Sequence, residues 1–317
     1  MPDETCEYPE DDESGLPAPG QLGKPSHAEG SPGLVVVATP IGNRGDISPR
    51  AIEALRAADL ILCEDTRHTG RLCAHHAIGT RLLPLHEYNE DARIPRALAA
   101  MREGARIALV SDAGTPLVSD PGFRLVRAAI AEGLAVSGVP GANAAVLALV
   151  LSGLPPQPFL FLGFPPPRSA ARLAAFTRLR KAERAGLDAT LISYEAPHRL
   201  AEMLADLASV FSDRPAAVAR ELTKRFEEVR RAPLPSLAAH YAQAEARGEI
   251  TVLIGPPPPE VTDAASLDDH LRAAMAGSSV KQAVARVAAE TGLPRRQVYA
   301  RALELAAPDQ TIPPATD

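Results

Sequence analysis

The chain has 317 residues, 46% of them hydrophobic, which is enough for one large or two medium cores, and the length favours two domains. Its longest apolar run, Ala144 to Leu151, is far shorter than the roughly 18 residues of a membrane span, and the chain does not open on a basic-then-apolar signal pattern. Three cysteines without C-x-x-C spacing argue against a disulfide framework or a zinc site, so we expect a cytoplasmic protein with reduced thiols and no membrane contact.

The formal charge of −6 is concentrated at the start of the chain. Residues 1–32 carry eight acidic side chains against Lys24 alone, so the rest of the chain is close to neutral. This segment is rich in proline, glycine and serine and poor in apolar residues, and burial cannot offset the entropy that it would lose on ordering. We therefore predict that residues 1–32 are a disordered acidic tail.

From Leu34 onward, short apolar runs alternate with amphipathic stretches, which is typical of βα units around a largely parallel sheet. Ser48 followed by Pro49 is a clear helix start. The pattern predicts an α/β domain over 33–154. Its predicted strands are Leu34–Ala38, Leu60–Cys63, Arg81–Leu85, Ile107–Val110 and Ala135–Val139, and its predicted helices are 49–57, 66–77, 91–103, 122–132 and 142–152.

The proline-rich segment from Gly153 to Pro158 predicts a domain boundary, because proline lacks the backbone donor that regular structure needs. A second α/β domain is predicted over 155–258, ending in the proline run 256–259. Short links between its strands favour a mixed or antiparallel sheet. The predicted strands are 159–164, 189–194, 216–219, 227–230 and 250–254, and the predicted helices are 168–185, 197–210 and 234–247.

A third region, 262–307, has no strand signal and about three helical periods. Ser278 and Ser279 begin one helix, Gly292 ends it, and Pro294 lies in the first turn of the next. Two helices joined by a short glycine turn resemble a helix-turn-helix. The segment 278–301 is basic, because it has one acidic residue, Glu290, and five basic ones: Lys281, Arg286, Arg295, Arg296 and Arg301.

Four polar loops follow strands of the first predicted domain, at 38–46, 63–70, 111–122 and 139–144. Ligands of open α/β sheets bind at the carboxyl ends of the strands, which is where these loops lie. Any one of them is also explained by the turn preferences of glycine, proline, aspartate and serine. Four on one sheet edge favour a binding cleft.

Charged residues also follow buried strands. Glu64, Asp65, Arg67 and His68 either line a cleft or cap the next helix, with Asp65 or Thr66 as the N-cap. In the second domain, the corresponding residues either face the cleft or form solvated ion pairs; they are Glu195, His198, Arg199, Arg220, Glu221, Thr223 and Lys224. No phosphate-binding loop, nucleophile elbow or metal-ligand spacing is present, so we expect neither nucleotide hydrolysis nor a metal site.

Taken together, six motifs in this order and spacing closely resemble the small-subunit ribosomal RNA (cytidine-2'-O)-methyltransferase family of the tetrapyrrole methylase superfamily. The motifs are TPIGNRGDIS, EDTRHTGRL, LVSDAGTPLVSDPGFRLV, PGANAAVLAL, YEAPHRL and RELTKRFEEV. The resemblance covers about residues 33 to 305. It implies two α/β domains with S-adenosylmethionine between them, a C-terminal helical domain that binds RNA, and methylation of the ribose 2'-oxygen of cytidine 1402 in 16S ribosomal RNA.

The resemblance also implies which residues bind the cofactor. The superfamily loop G-D-P-L-V corresponds to 114–118 here, with Thr115 where aspartate is common, and we expect Asp112 to supply that acid. Backbone groups of proline and glycine loops suit a reaction that depends on positioning. The predicted cofactor residues are Pro40, Gly42, Ser111, Asp112, Ala113, Gly114, Thr115, Pro116, Leu117, Pro140, Gly141, Tyr194, Arg220, Glu221, Leu222 and Thr223.

A ribose hydroxyl is weakly acidic, so a proton acceptor should assist the transfer. Asp65 and Glu64 are the first candidates, followed by Lys224 and Glu195. Phosphate contacts are expected from basic residues on all three regions, and the resemblance further implies a homodimer. The expected RNA-binding residues are Arg44, Arg67, Arg199, Lys281, Arg295 and Arg296, with Arg220 and Lys224 as further phosphate contacts.

Two other functions remain open at this point. A corrin or porphyrin precursor methylase would share the cofactor cleft but would not need the basic C-terminal helices. A DNA-binding regulator could use those helices and sense a small ligand with the α/β part. The charged loops that follow strands in both predicted α/β domains favour an enzyme over such a regulator.

Overall fold

The structure is a computed structural model that describes residues 32–258, 264–291 and 293–306. Residues 1–31 of the predicted acidic tail, Gly292 and the last proline of the predicted linker lie outside the described residues. The described residues up to Pro256 form one compact unit, and those from Pro257 form a second. No helix of the described residues is long and apolar enough to cross a membrane.

The first sheet contains five parallel strands in the order β3-β2-β4-β1-β5, which confirms the predicted parallel α/β arrangement. Leu60, Ile61 and Leu62 are fully buried, as expected for a strand covered on both faces. The strands are β1 (Gly33–Val37), β2 (Leu60–Cys63), β3 (Leu82–Pro84), β4 (Arg106–Leu109) and β5 (Val136–Val139). The helices are α1 (Pro49–Arg56), α2 (Thr66–His75), α3 (Glu90–Arg102), α4 (Phe123–Ala131) and α5 (Ala144–Ser152).

The second sheet has the order β6-β7-β10-β8-β9, with β6 and β7 parallel and the remaining pairs antiparallel, so the predicted mixed sheet is confirmed. Its strands are β6 (Phe159–Phe161), β7 (Thr190–Glu195), β8 (Pro215–Arg220), β9 (Glu228–Pro233) and β10 (Ile250–Ile254). The accompanying helices are α6 (Ser169–Arg184), α7 (Leu200–Phe211) and α8 (Leu234–Tyr241).

The prediction that the third of these helices runs to residue 247 is wrong. Helix α8 ends at Tyr241, its last buried side chain, and residues 242–247 are exposed or half-buried. Further turns would have no apolar face to bury, and most of the stability of a helix comes from packing such a face. The chain instead turns back to enter β10.

Helix α5 links the two sheets. It follows the last strand of the first sheet, yet its buried face packs on the second sheet, where Ala148 and Leu149 meet Ile192, Ala217 and Leu253. Asn143 starts the helix by accepting a hydrogen bond from the Val146 N–H at 3.1 Å, and Gly153 ends it with a φ of 75°. The separation of 33–154 from 155–258 as domains stays a prediction.

Two buried ion pairs hold α6 in place. The Arg172 guanidinium, fully buried, donates to the Asp206 carboxylate of α7 at 2.7 Å. Arg214, directly before β8, donates to Glu183 at 2.6 Å. Removing one partner of a buried pair leaves an uncompensated charge and costs roughly 3–5 kcal/mol, so these arginines are structural rather than available to a ligand.

The C-terminal unit consists of α9 (Ala264–Met275), α10 (Val280–Thr291) and α11 (Arg295–Ala306), in agreement with the predicted helical domain. Its core contains Leu271, Val287 and Val298. Arg301 of α11 donates to both carboxylate oxygens of Asp268 on α9, at 2.6 and 2.7 Å. This bidentate pair joins the first and last helices of the unit.

Candidate active site

The loops that follow β1 and β4 are joined to each other by hydrogen bonds. The Thr39 N–H donates to the Gly114 carbonyl at 2.8 Å, and the Gly114 N–H donates back to the Thr39 carbonyl at 3.1 Å. The Thr39 hydroxyl donates to the Ser111 carbonyl at 3.1 Å. Because β1 and β4 are parallel neighbours, both loops leave the sheet at its carboxyl edge and form one wall there.

A cavity of about 410 Å³, here called the larger cavity, lies between these loops and the second sheet. Residues 112–115 and 118–120 line it from the first sheet, and residues 194–197 and 248–251 line it from the second. Cavities that bind small molecules measure roughly 300–1,000 Å³. The larger cavity is therefore of a size that admits a cofactor.

Four carboxylates line the larger cavity, whereas no lysine, arginine or histidine of the described residues does. The four are Asp112, Asp120, Glu195 and Glu249. Phe164 and Tyr194 add an aromatic surface, with ring centroids 5.5 Å apart. A cavity of this composition favours a ligand that is cationic and carries a flat ring.

Glu195 is the most buried of these carboxylates, with no side-chain area exposed. Its Oε1 accepts a hydrogen bond from the Ala196 N–H at 2.7 Å and pairs with the Arg199 guanidinium. Its Oε2 is buried and has no hydrogen-bond partner among the described residues. A buried acceptor without a partner costs about 1–3 kcal/mol, which a donor group of a bound ligand would recover.

Asp120 lies at the far end of the 111–122 loop. Burial raises the pKa of its carboxyl to about 6, with further contributions from the nearby charges of Glu64 and Asp112. The pKa of Glu64 is also raised, first by partial desolvation and then by Asp112 and Asp65. The carboxyl edge of the first sheet is therefore a region where negative charge is unfavourable until a cation binds.

A second cavity of about 310 Å³, here called the smaller cavity, adjoins the larger one. The two share Ile41, Asp112, Ala113 and Glu249, which we call the shared wall. In contrast to the larger cavity, the smaller one has four basic or imidazole side chains in its lining: Arg44, His68, Arg71 and Lys224. The site thus has two adjoining compartments of opposite charge.

Gly42 and Lys224 set the floor of the smaller cavity. A Cβ atom at Gly42 would lie 2.4 Å from Cγ of Lys224 and 3.1 Å from the Leu222 carbonyl oxygen, so only glycine permits this approach. The Lys224 ammonium donates to Glu221 at 2.8 Å and to Glu249 at 2.9 Å. Burial lowers the pKa of Lys224, but these two partners outweigh it and raise the pKa above its usual value.

The structure brings many of the predicted cofactor residues to the cavities. Residues 112–115, Tyr194 and Leu222 line the larger cavity, and Pro40 and Gly42 line the smaller one. The other predicted cofactor residues lie on neither lining; they are Ser111, Pro116, Leu117, Pro140, Gly141, Arg220, Glu221 and Thr223. Several of these support the walls, as Ser111 does by donating its hydroxyl to the Gly114 carbonyl at 3.2 Å.

The first-ranked proton acceptor has a structural role. Asp65 is the N-cap of α2 and accepts a hydrogen bond from the Arg67 N–H at 2.8 Å. The Arg67 side chain also donates to it, and these bonds hold the pKa of Asp65 at about 2. Neither Asp65 nor Glu64 lines either cavity, whereas Lys224 lines the smaller one.

The predicted RNA-binding residues fall into three groups. Arg44 lines the smaller cavity. Arg67 and Arg199 form ion pairs with Asp65 and Glu195. The remaining three are exposed on the C-terminal unit; they are Lys281, Arg295 and Arg296.

Several residues of the two cavities were absent from the predictions, and three of them illustrate different reasons. Asp120 repeats the Ser-Asp pair of Ser111 and Asp112, a signal within the quoted loop that pointed to it. Phe164 and Glu249 follow or precede strands of the second sheet and have no distinguishing neighbours in sequence. Only the packing of the second sheet against the first brings them to the site.

Comparison with known proteins agrees with this architecture. Residues 33–238 match the family model described as Tetrapyrrole (Corrin/Porphyrin) Methylases, and residues 261–306 match the RsmI C-terminal HTH domain. A protein of Micromonospora olivasterospora called "Ribosomal RNA small subunit methyltransferase I" is 48% identical over 277 residues, covering 85% of this chain and 86% of that protein. One of the same name from Pseudomonas aeruginosa is 44% identical, covering 86% and 96%.

Solved structures show the same fold at lower identity. The methyltransferase CobJ has a TM-score of 0.55 and 23% identity, and the match covers 71% of this chain and 95% of that one. A conserved hypothetical protein from Aeropyrum pernix has a TM-score of 0.56 and 17% identity, with coverage of 87% and 97%. These similarities concern the fold alone.

Proposed function

The chain belongs to the tetrapyrrole methylase family and, within it, to the ribosomal RNA small subunit methyltransferase I family, and on this premise we propose that it methylates the ribose 2'-hydroxyl of cytidine 1402 in 16S ribosomal RNA. The methyl donor of this family is S-adenosylmethionine. One observation carries the proposal for this chain: an acidic cavity adjoins a basic one, as a cationic donor and a polyanionic acceptor require.

The residues of the larger cavity fit S-adenosylmethionine. Phe164 and Tyr194 provide a surface for its adenine ring, and the unpartnered Glu195 Oε2 can accept a hydrogen bond from an amino or hydroxyl group. Asp112 and Asp120 lower the energy of a positive charge. When bound, the cofactor supplies an electrophilic methyl group on a sulfonium and leaves as the neutral thioether S-adenosylhomocysteine.

The protein's part in the transfer is positioning and removal of one proton. S-adenosylmethionine would supply the methyl group from the larger cavity, and a carboxylate of this chain would accept the hydroxyl proton of the ribose. We assign that carboxylate to Asp112, because it lies on the shared wall and Glu249, the other acid there, is held by Lys224. Asp112 is itself oriented by the Asp65 N–H, which donates to its Oδ1 at 3.1 Å.

The other candidates are less suited than Asp112 to accept the proton. Asp65 has a pKa of about 2 and is a weak base, and Lys224 is a protonated donor. Glu64 is close enough to Asp112 for their charges to interact, and it remains a comparison variant. The proposal for Asp112 therefore rests on its place in the wall that both cavities share.

The C-terminal unit is proposed to bind RNA through exposed cations. Lys281 lies in the first turn of α10, and Arg295 and Arg296 lie in the first turn of α11; all three are exposed. Arg301, by contrast, is engaged with Asp268 and Glu304 and stabilises the unit. We further propose, from the resemblance, that the enzyme is a cytoplasmic homodimer without membrane contact; its mass in solution by analytical ultracentrifugation tests the dimer.

The proposed function is tested with the purified full chain, S-adenosylmethionine and small ribosomal subunits from cells that lack the modification. Digestion of the RNA to nucleosides and mass spectrometry should show 2'-O-methylcytidine, formed in proportion to S-adenosylhomocysteine. A methyl group on a base, or transfer to a porphyrin precursor but not to RNA, would refute the proposal. Gel shift on duplex DNA separates the enzyme from a DNA-binding regulator.

A further inference from the structure

The side chains around the smaller cavity are matched to an anion rather than to a second cation. His68 and Arg71 are three residues apart on α2 and so lie on neighbouring positions of one helix face. His68 lies in the first turn of that helix, whose positive dipole end favours negative charge, and Arg71 follows three residues later. Arg44 enters from the loop after β1. Three side chains from two segments thus surround one space.

These side chains are uncommitted, unlike the other cation of the cavity. The Lys224 ammonium is balanced by Glu221 and Glu249. Arg71 donates only to the Arg67 carbonyl, at 3.3 Å, and within the described part of the chain neither Arg44 nor Arg71 forms an ion pair. Both are exposed to solvent. Guanidinium groups without a carboxylate partner have donors free for a ligand anion.

The adjoining cavity limits what that anion can be. A polyanionic backbone is repelled by the four carboxylates of the larger cavity and attracted by the cations of the smaller one. In RNA, the 2'-hydroxyl and the 3'-phosphate are attached to neighbouring carbons of one ribose. A phosphate in the smaller cavity would therefore leave its own 2'-hydroxyl close to the shared wall and to Asp112.

We propose that the smaller cavity is a subsite for the phosphate on the 3' side of the acceptor nucleotide, bound by Arg44, His68 and Arg71. This inference rests on the proposed function and adds to it the group that selects the reactive ribose. One other source of an anion is the carboxylate of the cofactor's methionine moiety. The two sources are separated by asking which ligand loses affinity when the cations are removed.

The test compares Arg44→Ala, Arg71→Ala and the charge-retaining Arg71→Lys with Arg50→Ala. Arg50 is exposed on α1 and lines neither cavity, so it controls for the loss of one positive charge. For each variant, methylation kinetics are measured on small subunits that lack the modification, and S-adenosylmethionine affinity is measured by isothermal titration calorimetry. Circular dichroism verifies folding.

Each cavity variant should raise KM for the RNA substrate about tenfold, the loss expected for one hydrogen bond to a charged group, with cofactor affinity unchanged and partial recovery in Arg71→Lys. Arg50→Ala should match the wild type. Two outcomes overturn the inference: cavity variants indistinguishable from Arg50→Ala, or a loss of cofactor affinity with RNA binding intact. Wild-type methylation in the same assay keeps either outcome distinct from failure of the proposed function.

An RNA in which one phosphate is replaced by an uncharged linkage tests which phosphate the smaller cavity binds. An oligoribonucleotide of the acceptor strand is made with a methylphosphonate on the 3' side of the target cytidine, and its affinity is measured by fluorescence anisotropy. Wild-type protein should bind it more weakly than the unmodified strand, whereas the Arg44→Ala/Arg71→Ala double variant should not distinguish the two. Equal discrimination by both proteins would place the phosphate elsewhere.

Discussion

The larger and the smaller cavity share one wall but have opposite charge. The larger cavity has four carboxylates, and the smaller one has Arg44, His68, Arg71 and Lys224. Opposite charges so close would neutralise each other if their side chains paired, yet among the described residues Lys224 is the only cation of the smaller cavity that forms an ion pair. We propose that this separation keeps a cationic donor and an anionic acceptor in adjoining compartments, with the transfer at the shared wall.

The largest effect is expected at that wall, from Asp112→Asn. The amide retains an oxygen that can accept the Asp65 N–H bond, so the loop geometry is preserved while the proton acceptor is lost. The single-turnover methylation rate should fall by about 100-fold or more, since positioned bases contribute factors of that order. Asp65→Asn and Glu64→Gln should remain within severalfold of wild type. If Asp65→Asn is the slow variant, the assignment to Asp112 is wrong.

The next largest effect is expected on the binding of the methyl donor, from Gly114→Val. Gly114 has a φ of 85°, and a Cβ atom there would lie 3.2 Å from Cγ2 of Ile41 on the shared wall. Gly114→Val combines a backbone conformation that β-branched residues avoid with a contact in the cofactor wall. S-adenosylmethionine affinity by calorimetry should fall more than about tenfold.

The matched control is Gly79→Val, because Gly79 has open space around it and lines neither cavity. Its cofactor affinity should equal that of the wild type. Equal affinity in folded Gly114→Val would show that the 111–115 loop does not shape the cofactor site.

The affinity for S-adenosylmethionine should change several-fold with pH, because Asp120 of the larger cavity titrates, whereas the affinity for RNA should not. The Asp120 carboxyl has a pKa of about 6, and a bound cation favours its ionised form. Cofactor affinity should therefore rise as pH increases from 5 to 7 and change little above that. Because the folded-state pKa is raised, the contribution of Asp120 to stability moves the other way and is lost as pH rises through about 6.

The variant Asp120→Asn isolates this contribution. It should bind the cofactor with a weaker dependence on pH over the same range, and RNA affinity should show no matching change. A wild-type pH profile retained in Asp120→Asn would assign the titration to another group.

The smallest effects are expected from single cations outside the two cavities. Arg295→Ala and Arg296→Ala should each weaken RNA binding by a few-fold and reduce the slope of log K against log salt concentration by about one. Removing residues 260–317 should have a larger effect on RNA binding, with cofactor affinity intact. RNA affinity equal to that of the full chain would remove the C-terminal unit from RNA recognition.

Much of the fold and part of the site could be predicted from the sequence. Periodicity located the strands and helices, and the carboxyl edge of a parallel sheet brought the 38–46 and 111–122 loops together as expected. The roles of individual charged residues were harder to predict. An acid after a strand has the same sequence signal whether it caps a helix, as Asp65 does, or lines a cavity, as Asp112 does.

Other features depend on contacts between residues distant in sequence. Glu249 and Asp112 line the same two cavities only because the second sheet packs beside the first. Helix α5 follows the first sheet in the chain but packs on the second, and no local pattern shows that choice. The commitment of Lys224 to Glu221 and Glu249, which leaves Arg44 and Arg71 as the uncommitted arginines of the smaller cavity, likewise follows from packing.

A structure of the full chain bound to S-adenosylmethionine tests the separation of charge most directly. We predict the adenine ring beside Phe164 and Tyr194, the sulfonium among the carboxylates of the larger cavity, and a smaller cavity that the cofactor does not enter. A methionine carboxylate bound to Arg44 and Arg71 would contradict it, because the basic compartment would then belong to the donor and not to the RNA.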